Sequence, residues 1–123
     1  MTLRVGLLGA SGIAPLALIG PAREINAVEV TAVAARDHDR ALRFAAEHGI
    51  PNVAASYEAL LARADVDLVY ISLPITMHER WGIASLQAGK HVLMEKPSAP
   101  SSAAAARMIA AAARSNRRLI EAF

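Results

Sequence analysis

The tripeptide Glu95-Lys96-Pro97 places a lysine between a carboxylate and a proline. The proline disfavours a helical backbone at Lys96, so the amine is carried on an extended or turn segment. Such an amine can donate a proton or a hydrogen bond to a hydroxyl or carbonyl oxygen of a substrate, which makes Lys96 the candidate catalytic residue. A lysine at the end of a strand is otherwise a solvated surface charge, and composition alone favours that alternative.

A turn of small residues lies between the apolar run Leu3 to Leu8 and the helical pattern that follows it. Its order is a degenerate Gly-x-Gly-x-x-Gly/Ala: Gly9 takes the tight-turn position, Ala14 the helix-packing position, and Ser11 replaces the middle glycine. Backbone N–H groups at the start of such a helix favour a pyrophosphate. The alternative is an ordinary β–α turn. The residues predicted to bind a cofactor here are Gly9, Ser11, Gly12, Ile13 and Ala14.

The end of the second predicted strand distinguishes between two dinucleotide cofactors. An acidic residue there binds the adenosine ribose of NAD, whereas an arginine accommodates the 2′-phosphate of NADP. Ala35-Arg36 occupies this position, and a guanidinium can bind phosphate with two parallel hydrogen bonds. We therefore expect NADP(H) to be preferred. NAD(H) is the alternative, either because Asp37 binds the ribose or because Arg36 only pairs with Asp37 or Asp39.

Two further segments end predicted strands and therefore belong at the same edge of the sheet. They are Ser72-Leu73-Pro74 and Glu95-Lys96-Pro97, and we expect both to border the nicotinamide because ligands bind at this edge in open α/β sheets. His78 either contacts a ligand or only begins the following helix. The cofactor-binding candidates from these segments are Ser72, Leu73, Pro74, His78, Glu95, Lys96 and Pro97.

The elements that must position these residues alternate between strand and helix patterns. This alternation predicts an α/β fold with a doubly wound parallel sheet, because parallel neighbours need helical crossovers, and 123 residues suit one domain over residues 1–123. The predicted strands cover 3–8, 28–35, a short stretch near Val53, 68–73, 91–94 and 118–123. The predicted helices cover 13–22, 38–47 after an Asp37 N-cap, a brief stretch capped by Ser56, 78–88 and 102–115.

Composition limits the class of protein. The net charge of +2, from 13 basic and 11 acidic residues, gives no reason to expect a nucleic-acid partner. The absence of cysteine excludes disulfides, thiol catalysis and Cys-ligated metals, and we expect no metal site. Since no apolar run is long enough to span a bilayer and the N-terminus is unlike a signal peptide, we expect a cytoplasmic protein without a membrane partner.

Taken together, these residues resemble the Gfo/Idh/MocA oxidoreductases, named after glucose-fructose oxidoreductase and inositol dehydrogenase. Four landmarks carry the resemblance over essentially the whole chain: the turn from Gly6 to Ala14, Ala35-Arg36-Asp37, Ser72-Leu-Pro74 with His78, and the run from Ala88 to Pro97. The turn is most similar to that of the branch with dimeric dihydrodiol and xylose dehydrogenases, which uses NADP.

The resemblance implies hydride transfer between the nicotinamide and a sugar, cyclitol or related diol. It implies that Lys96 relays a proton to the reacting oxygen and that Glu95 and Pro97 shape the cofactor edge. Two residues depart from the family pattern: Ser11 replaces a glycine, and Ile75 stands where the family often has an asparagine that contacts the cofactor.

The family's proteins continue into a second domain that supplies the substrate pocket. We therefore expect this chain, which ends at Phe123, to be the cofactor-binding fragment, inactive alone and prone to self-association as a homo-oligomer. One alternative is a stand-alone NADP(H)-binding sensor without catalysis. Another is a methyl-transfer domain that binds S-adenosylmethionine, which fits the glycine turn but gives no role to Glu95-Lys96-Pro97.

Overall fold

The computed structural model describes residues 1–122 and contains one six-stranded sheet. Every neighbouring pair of strands is parallel, and the order across the sheet is β3-β2-β1-β4-β5-β6. This confirms the predicted doubly wound fold, and it creates a crevice beyond β1 and β4, where the strand order reverses. The strands are β1 Leu3–Leu8, β2 Val28–Ala34, β3 Asn52–Val53, β4 Leu68–Ile71, β5 His91–Glu95 and β6 Leu119–Ala122.

Four strands differ from prediction only at their ends. β4 stops at Ile71, two residues early, which leaves Ser72 and Leu73 in the loop that follows it. β2 ends one residue early at Ala34, and β5 ends one residue late at Glu95. β6 begins at Leu119, and its predicted end at Phe123 lies outside the described residues.

The helices begin and end largely at the residues that the capping signals indicate. Asp37 accepts a hydrogen bond from the Arg40 amide, Ser56 from the Ala59 amide and Ser101 from the Ala104 amide. Gly49 follows the helix His38–His48 and ends it with a left-handed φ of 66°. Among the described residues no helix is both long and apolar enough to cross a membrane. The α-helices are α1 Gly20–Arg23, α2 His38–His48, α3 Tyr57–Leu61, α4 His78–Gln87 and α5 Ser102–Ser115.

The first helical segment departs from the predicted single helix over 13–22. A π-helical turn, Pro15–Ile19, precedes the short α1, and the Gly20 amide donates to the Pro15 carbonyl five residues back. Pro21 has no N–H to continue the α-helical ladder, which is the physical reason for the changed hydrogen-bond register. The hydrogen-bond register therefore changes at this point, and the helical segment continues to Arg23.

The core has two layers, one on each face of the sheet. Alternate residues of β1 point in opposite directions, so that Leu8 packs in one layer and Leu7 in the other. Both leucines are fully buried, as a sheet covered by helices on both faces requires. The layers hold the carboxyl ends of β1, β2, β4 and β5 at one edge.

A buried lysine ties the loop after α3 to the start of β5. The side chain of Lys90 donates to the carbonyls of Arg63 at 2.6 Å and Val66 at 2.8 Å, and the residue is 8% exposed. Burial lowers the pKa of Lys90, while the nearby Asp67 carboxylate acts in the opposite direction. Composition gave no sign that this lysine is internal.

We predict that Lys90→Met lowers the free energy of unfolding by about 1–3 kcal/mol, since it keeps the apolar stem but removes the donor from two carbonyls. Urea unfolding measures the loss. Arg43→Met is the control, because Arg43 is an exposed cation on α2 and its loss should cost less than about 0.5 kcal/mol. Equal losses in the two variants would contradict a structural role for the Lys90 amine.

Candidate functional site

A cleft of about 450 Å³ lies in the crevice where the strand order reverses. Six predicted cofactor residues line it: Gly9, Ser11, Arg36, Ser72, Leu73 and Pro74. Five other residues complete its walls: Ala10, Ala35, Asp37, Arg40 and Tyr57. The fold therefore brings together segments from the ends of β1, β2 and β4, as expected of a ligand site in an open α/β sheet.

Gly9 allows the turn after β1 to pass close to the end of β4. Its φ is +109°, a conformation that side chains disfavour. A Cβ added at Gly9 would lie 3.0 Å from the Ser72 hydroxyl oxygen and 3.3 Å from Leu73 Cδ2. That hydroxyl is buried and has no hydrogen-bond partner within the described part of the chain. The close passage thus depends on the missing side chain at Gly9.

The other residues of the glycine turn have distinct environments. The Ser11 hydroxyl accepts a hydrogen bond from the Ala14 amide at 3.3 Å, so it closes the turn that leads into the first helical segment. Ala14 is fully buried against the sheet, which agrees with its predicted packing position. Gly12 lines a neighbouring hollow together with Ser11, and Ile13 is 45% exposed. Gly12, Ile13 and Ala14 lie beside the cleft and do not form its walls.

Two arginines give one end of the cleft a positive charge. Arg36 is exposed, and among residues 1–122 no salt bridge joins it to Asp37 or Asp39. The Asp37 carboxylate instead caps α2. Arg40, which the sequence reasoning missed, donates from Nη2 to the Ala10 carbonyl at 2.8 Å. Its position in the first turn of α2, directly after the end of β2, was the available signal.

Tyr57 forms the remaining wall and was also missed. It is partly buried, and its ring meets that of Trp81 edge to face at 4.9 Å between centroids. Burial raises the pKa of the Tyr57 phenol, against the opposing effects of the Arg36 backbone and charge. The short β3 precedes it, and no sequence pattern indicated that this tyrosine reaches the end of β2.

The Glu95-Lys96-Pro97 segment leaves the sheet one strand farther along, because β5 pairs with β4. These three residues lie outside the walls of the cleft. Lys96 is exposed and forms no salt bridge within the described residues. The Glu95 carboxylate accepts hydrogen bonds from the Tyr70 hydroxyl at 2.6 Å and from the Lys96 amide at 3.3 Å. Lys96 is therefore held by its backbone while its amine is open to solvent.

His78 is buried instead of lining the cleft, and it is only 2% exposed. Its Nε2 lies 2.8 Å from the Leu73 carbonyl oxygen, and its Nδ1 lies 3.0 Å from that of Pro97. Both ring nitrogens face backbone oxygens, so neither is presented to a ligand in the cleft. Of the two alternatives for His78, this geometry supports a residue that joins the Leu73 loop to the Pro97 loop at the start of α4.

The arrangement agrees with what comparison with known proteins finds. Residues 3–123 match the family described as oxidoreductases with an NAD-binding Rossmann fold. A dTDP-3,4-didehydro-2,6-dideoxy-alpha-D-glucose 3-reductase from Actinomadura kijaniata is 43% identical over 122 residues, which cover 98% of this chain and 36% of that protein. The NADP-dependent D-xylose 1-dehydrogenase 2 of Haloferax volcanii is 47% identical over 92 residues, 75% of this chain and 28% of that protein.

Solved structures extend the likeness to three dimensions. A 3-ketoreductase from Actinomadura kijaniata in complex with NADP and TDP-benzene superposes with a TM-score of 0.92 at 40% identity, covering 98% of this chain and 37% of that one. The chain thus spans little more than a third of the length of these relatives. These relatives include a xylose dehydrogenase, which belongs to the expected branch, and a deoxysugar reductase. With the family matched from the first strand onward, the chain belongs to the Gfo/Idh/MocA oxidoreductase family and forms its NAD-binding Rossmann domain.

Proposed function

We propose that the chain binds NADP(H) in the cleft beyond β1 and β4. The observation that carries this proposal is the pair of arginines, Arg36 and Arg40, which line the cleft beyond the end of β2, where a dinucleotide places its adenosine ribose. Asp37, the acidic residue suited to the NAD ribose, is engaged as the cap of α2. The relative solved with NADP supports the same assignment.

The residues present fit a dinucleotide along the whole crevice. At Gly9 no side chain blocks the cleft, and backbone N–H groups at the start of the helical segment that follows favour a pyrophosphate. Arg36 and Arg40 would hold the 2′-phosphate. Ser72, Leu73 and Pro74 would border the nicotinamide half.

We further propose that the complete protein is an oxidoreductase for a sugar, cyclitol or related diol. The bound nicotinamide supplies or accepts the hydride. Lys96 would donate a proton from Nζ to the oxygen of a carbonyl substrate, or take it from a hydroxyl in the reverse direction. The names of the relatives, a deoxysugar reductase and a xylose dehydrogenase, support this substrate class. Because those relatives are nearly three times as long, we propose that residues outside this chain complete the substrate pocket.

The second candidate function is NADP(H) sensing without turnover. The position of Lys96 outside the walls of the cleft favours it, since nothing among the described residues holds a substrate beside that amine. The two functions share the cofactor site and differ in whether Lys96 takes part in turnover, so a turnover assay of the wild type and of a Lys96 variant separates them.

Calorimetric titration of the chain with NADPH and NADH at fixed, modest salt tests the cofactor. We expect tighter binding of NADPH, and we expect Arg36→Asp to weaken NADPH binding by about 10- to 100-fold because it removes a charged hydrogen-bond donor. The affinity for NADH should hold or improve. Arg114→Ala, which removes an exposed cation on α5, should leave both affinities unchanged. Unaltered relative affinities in Arg36→Asp would disprove the 2′-phosphate assignment.

Lys96→Ala tests the reaction. In the full-length protein, assayed with NADP⁺ and a panel of aldoses, cyclitols and diols, we expect the turnover number to fall by at least about 100-fold. NADPH affinity should change by less than about twofold, because Lys96 lies outside the cleft. NADPH binding by a wild-type protein that oxidises none of the panel would favour the sensor.

A further inference from the structure

The segment that carries Lys96 is fastened to the sheet through the carboxylate of Glu95. One oxygen, Oε1, accepts the Tyr70 hydroxyl at 2.6 Å, and the other, Oε2, accepts the Lys96 backbone amide at 3.3 Å. Two residues farther on, the Ser98 amide donates to Glu121 Oε2 at 2.8 Å. The orientation of the Glu95 carboxylate therefore bears directly on the backbone at Lys96.

Tyr70 is a rigid support for that carboxylate. It belongs to β4, is 1% exposed and packs in the same core layer as Val5 and Leu7. Burial, followed by the influence of the Glu95 carboxylate, raises the pKa of Tyr70 well above its ordinary value. The phenol accordingly keeps its proton and acts as the hydrogen-bond donor to Glu95.

The Tyr70 hydroxyl also bears on whether the Glu95 carboxylate forms a salt bridge with the Lys96 ammonium. Glu95 and Lys96 are adjacent in sequence and oppositely charged, yet no salt bridge joins them in the described structure. Each oxygen of Glu95 accepts one hydrogen bond, Oε1 from a neutral phenol and Oε2 from a backbone amide, and these two donors fix the direction of the carboxylate. Without the phenol, Oε1 would lose its donor, and the carboxylate could turn towards the ammonium of Lys96, the next residue in the sequence.

We propose that Tyr70 is a positioning residue for Lys96: its hydroxyl holds the Glu95 carboxylate on the Lys96 amide and keeps that carboxylate off the Lys96 ammonium. The ammonium then stays available to the oxygen of a substrate. This inference rests on the proposed function, because it assumes that Lys96 exchanges a proton with the substrate.

The variant Tyr70→Phe tests the inference because it removes one hydroxyl and preserves the ring in the core. The first readout is the Lys96 amide in two-dimensional ¹⁵N–¹H spectra of the chain, which needs neither cofactor nor substrate. We expect its proton resonance to move upfield as the hydrogen bond to Glu95 weakens. The matched control is Thr31→Val, which removes a buried hydroxyl that donates to the Asp65 carbonyl at 3.1 Å and should leave the Lys96 amide unmoved.

The second readout is turnover by the full-length protein with the sugar or diol that it oxidises best. Tyr70→Phe should lower kcat by about 10-fold or more, because a small misplacement of a proton donor is costly, while NADPH affinity stays within about twofold. If the effect passes through Glu95, the double variant Tyr70→Phe/Glu95→Gln should lose no more than Glu95→Gln alone.

The outcomes separate this inference from the proposed function. An unmoved Lys96 amide in Tyr70→Phe, a kcat equal to that of the wild type, or losses that multiply in the double variant would each overturn the positioning role. An equal loss of kcat in Thr31→Val would overturn it as well, by indicating a general effect of a lost buried hydroxyl. A shifted Lys96 amide in a protein whose wild type turns over no sugar or diol would support the linkage through Glu95 and reject the proposed reaction.

Discussion

The close passage of the β1 turn over the end of β4 is the constraint on which the site depends. It exists because Gly9 adopts a φ of +109° and has no Cβ to meet Ser72 and Leu73. The parallel order of the strands places this passage at the reversal point, so the turn, the end of β2 and the loop after β4 share one cleft. A side chain at Gly9 would separate these segments even if every strand remained paired.

Local chemistry made most of the fold predictable from the sequence. Apolar runs identified five of the six strands, the short β3 was predicted near Val53 without such a run, and the side chains of Asp37 and Ser56 marked the starts of α2 and α3. These signals act within a few residues, where propensity and capping dominate. The glycine turn, Arg36 and the Ser72-Leu73-Pro74 loop also followed from local order, because parallel strands bring their carboxyl ends to one edge.

The parts that could not be predicted depend on contacts between residues far apart in sequence. Tyr57 lies after β3 in the sequence and lines the cleft, and Tyr70 on β4 donates a hydrogen bond to Glu95 on the neighbouring β5. His78 was a candidate ligand contact, yet its burial between the Leu73 and Pro97 carbonyls became visible only with both loops in place. The π-helical turn before α1 is different in kind, because Pro15 and Pro21 permit several helical registers that sequence alone does not separate.

The contrast between the two lysines has a practical consequence for chemical labelling. Lys90 and Lys96 are the only lysines in the chain, and the amine of Lys90 is buried and bound to two carbonyls. Lys96 is exposed and has no ionic partner in the described residues. Among the lysines, an amine-reactive fluorophore will therefore attach at Lys96 after the end of β5 and spare Lys90 before its start, which gives a reporter at a known lysine without any engineered cysteine.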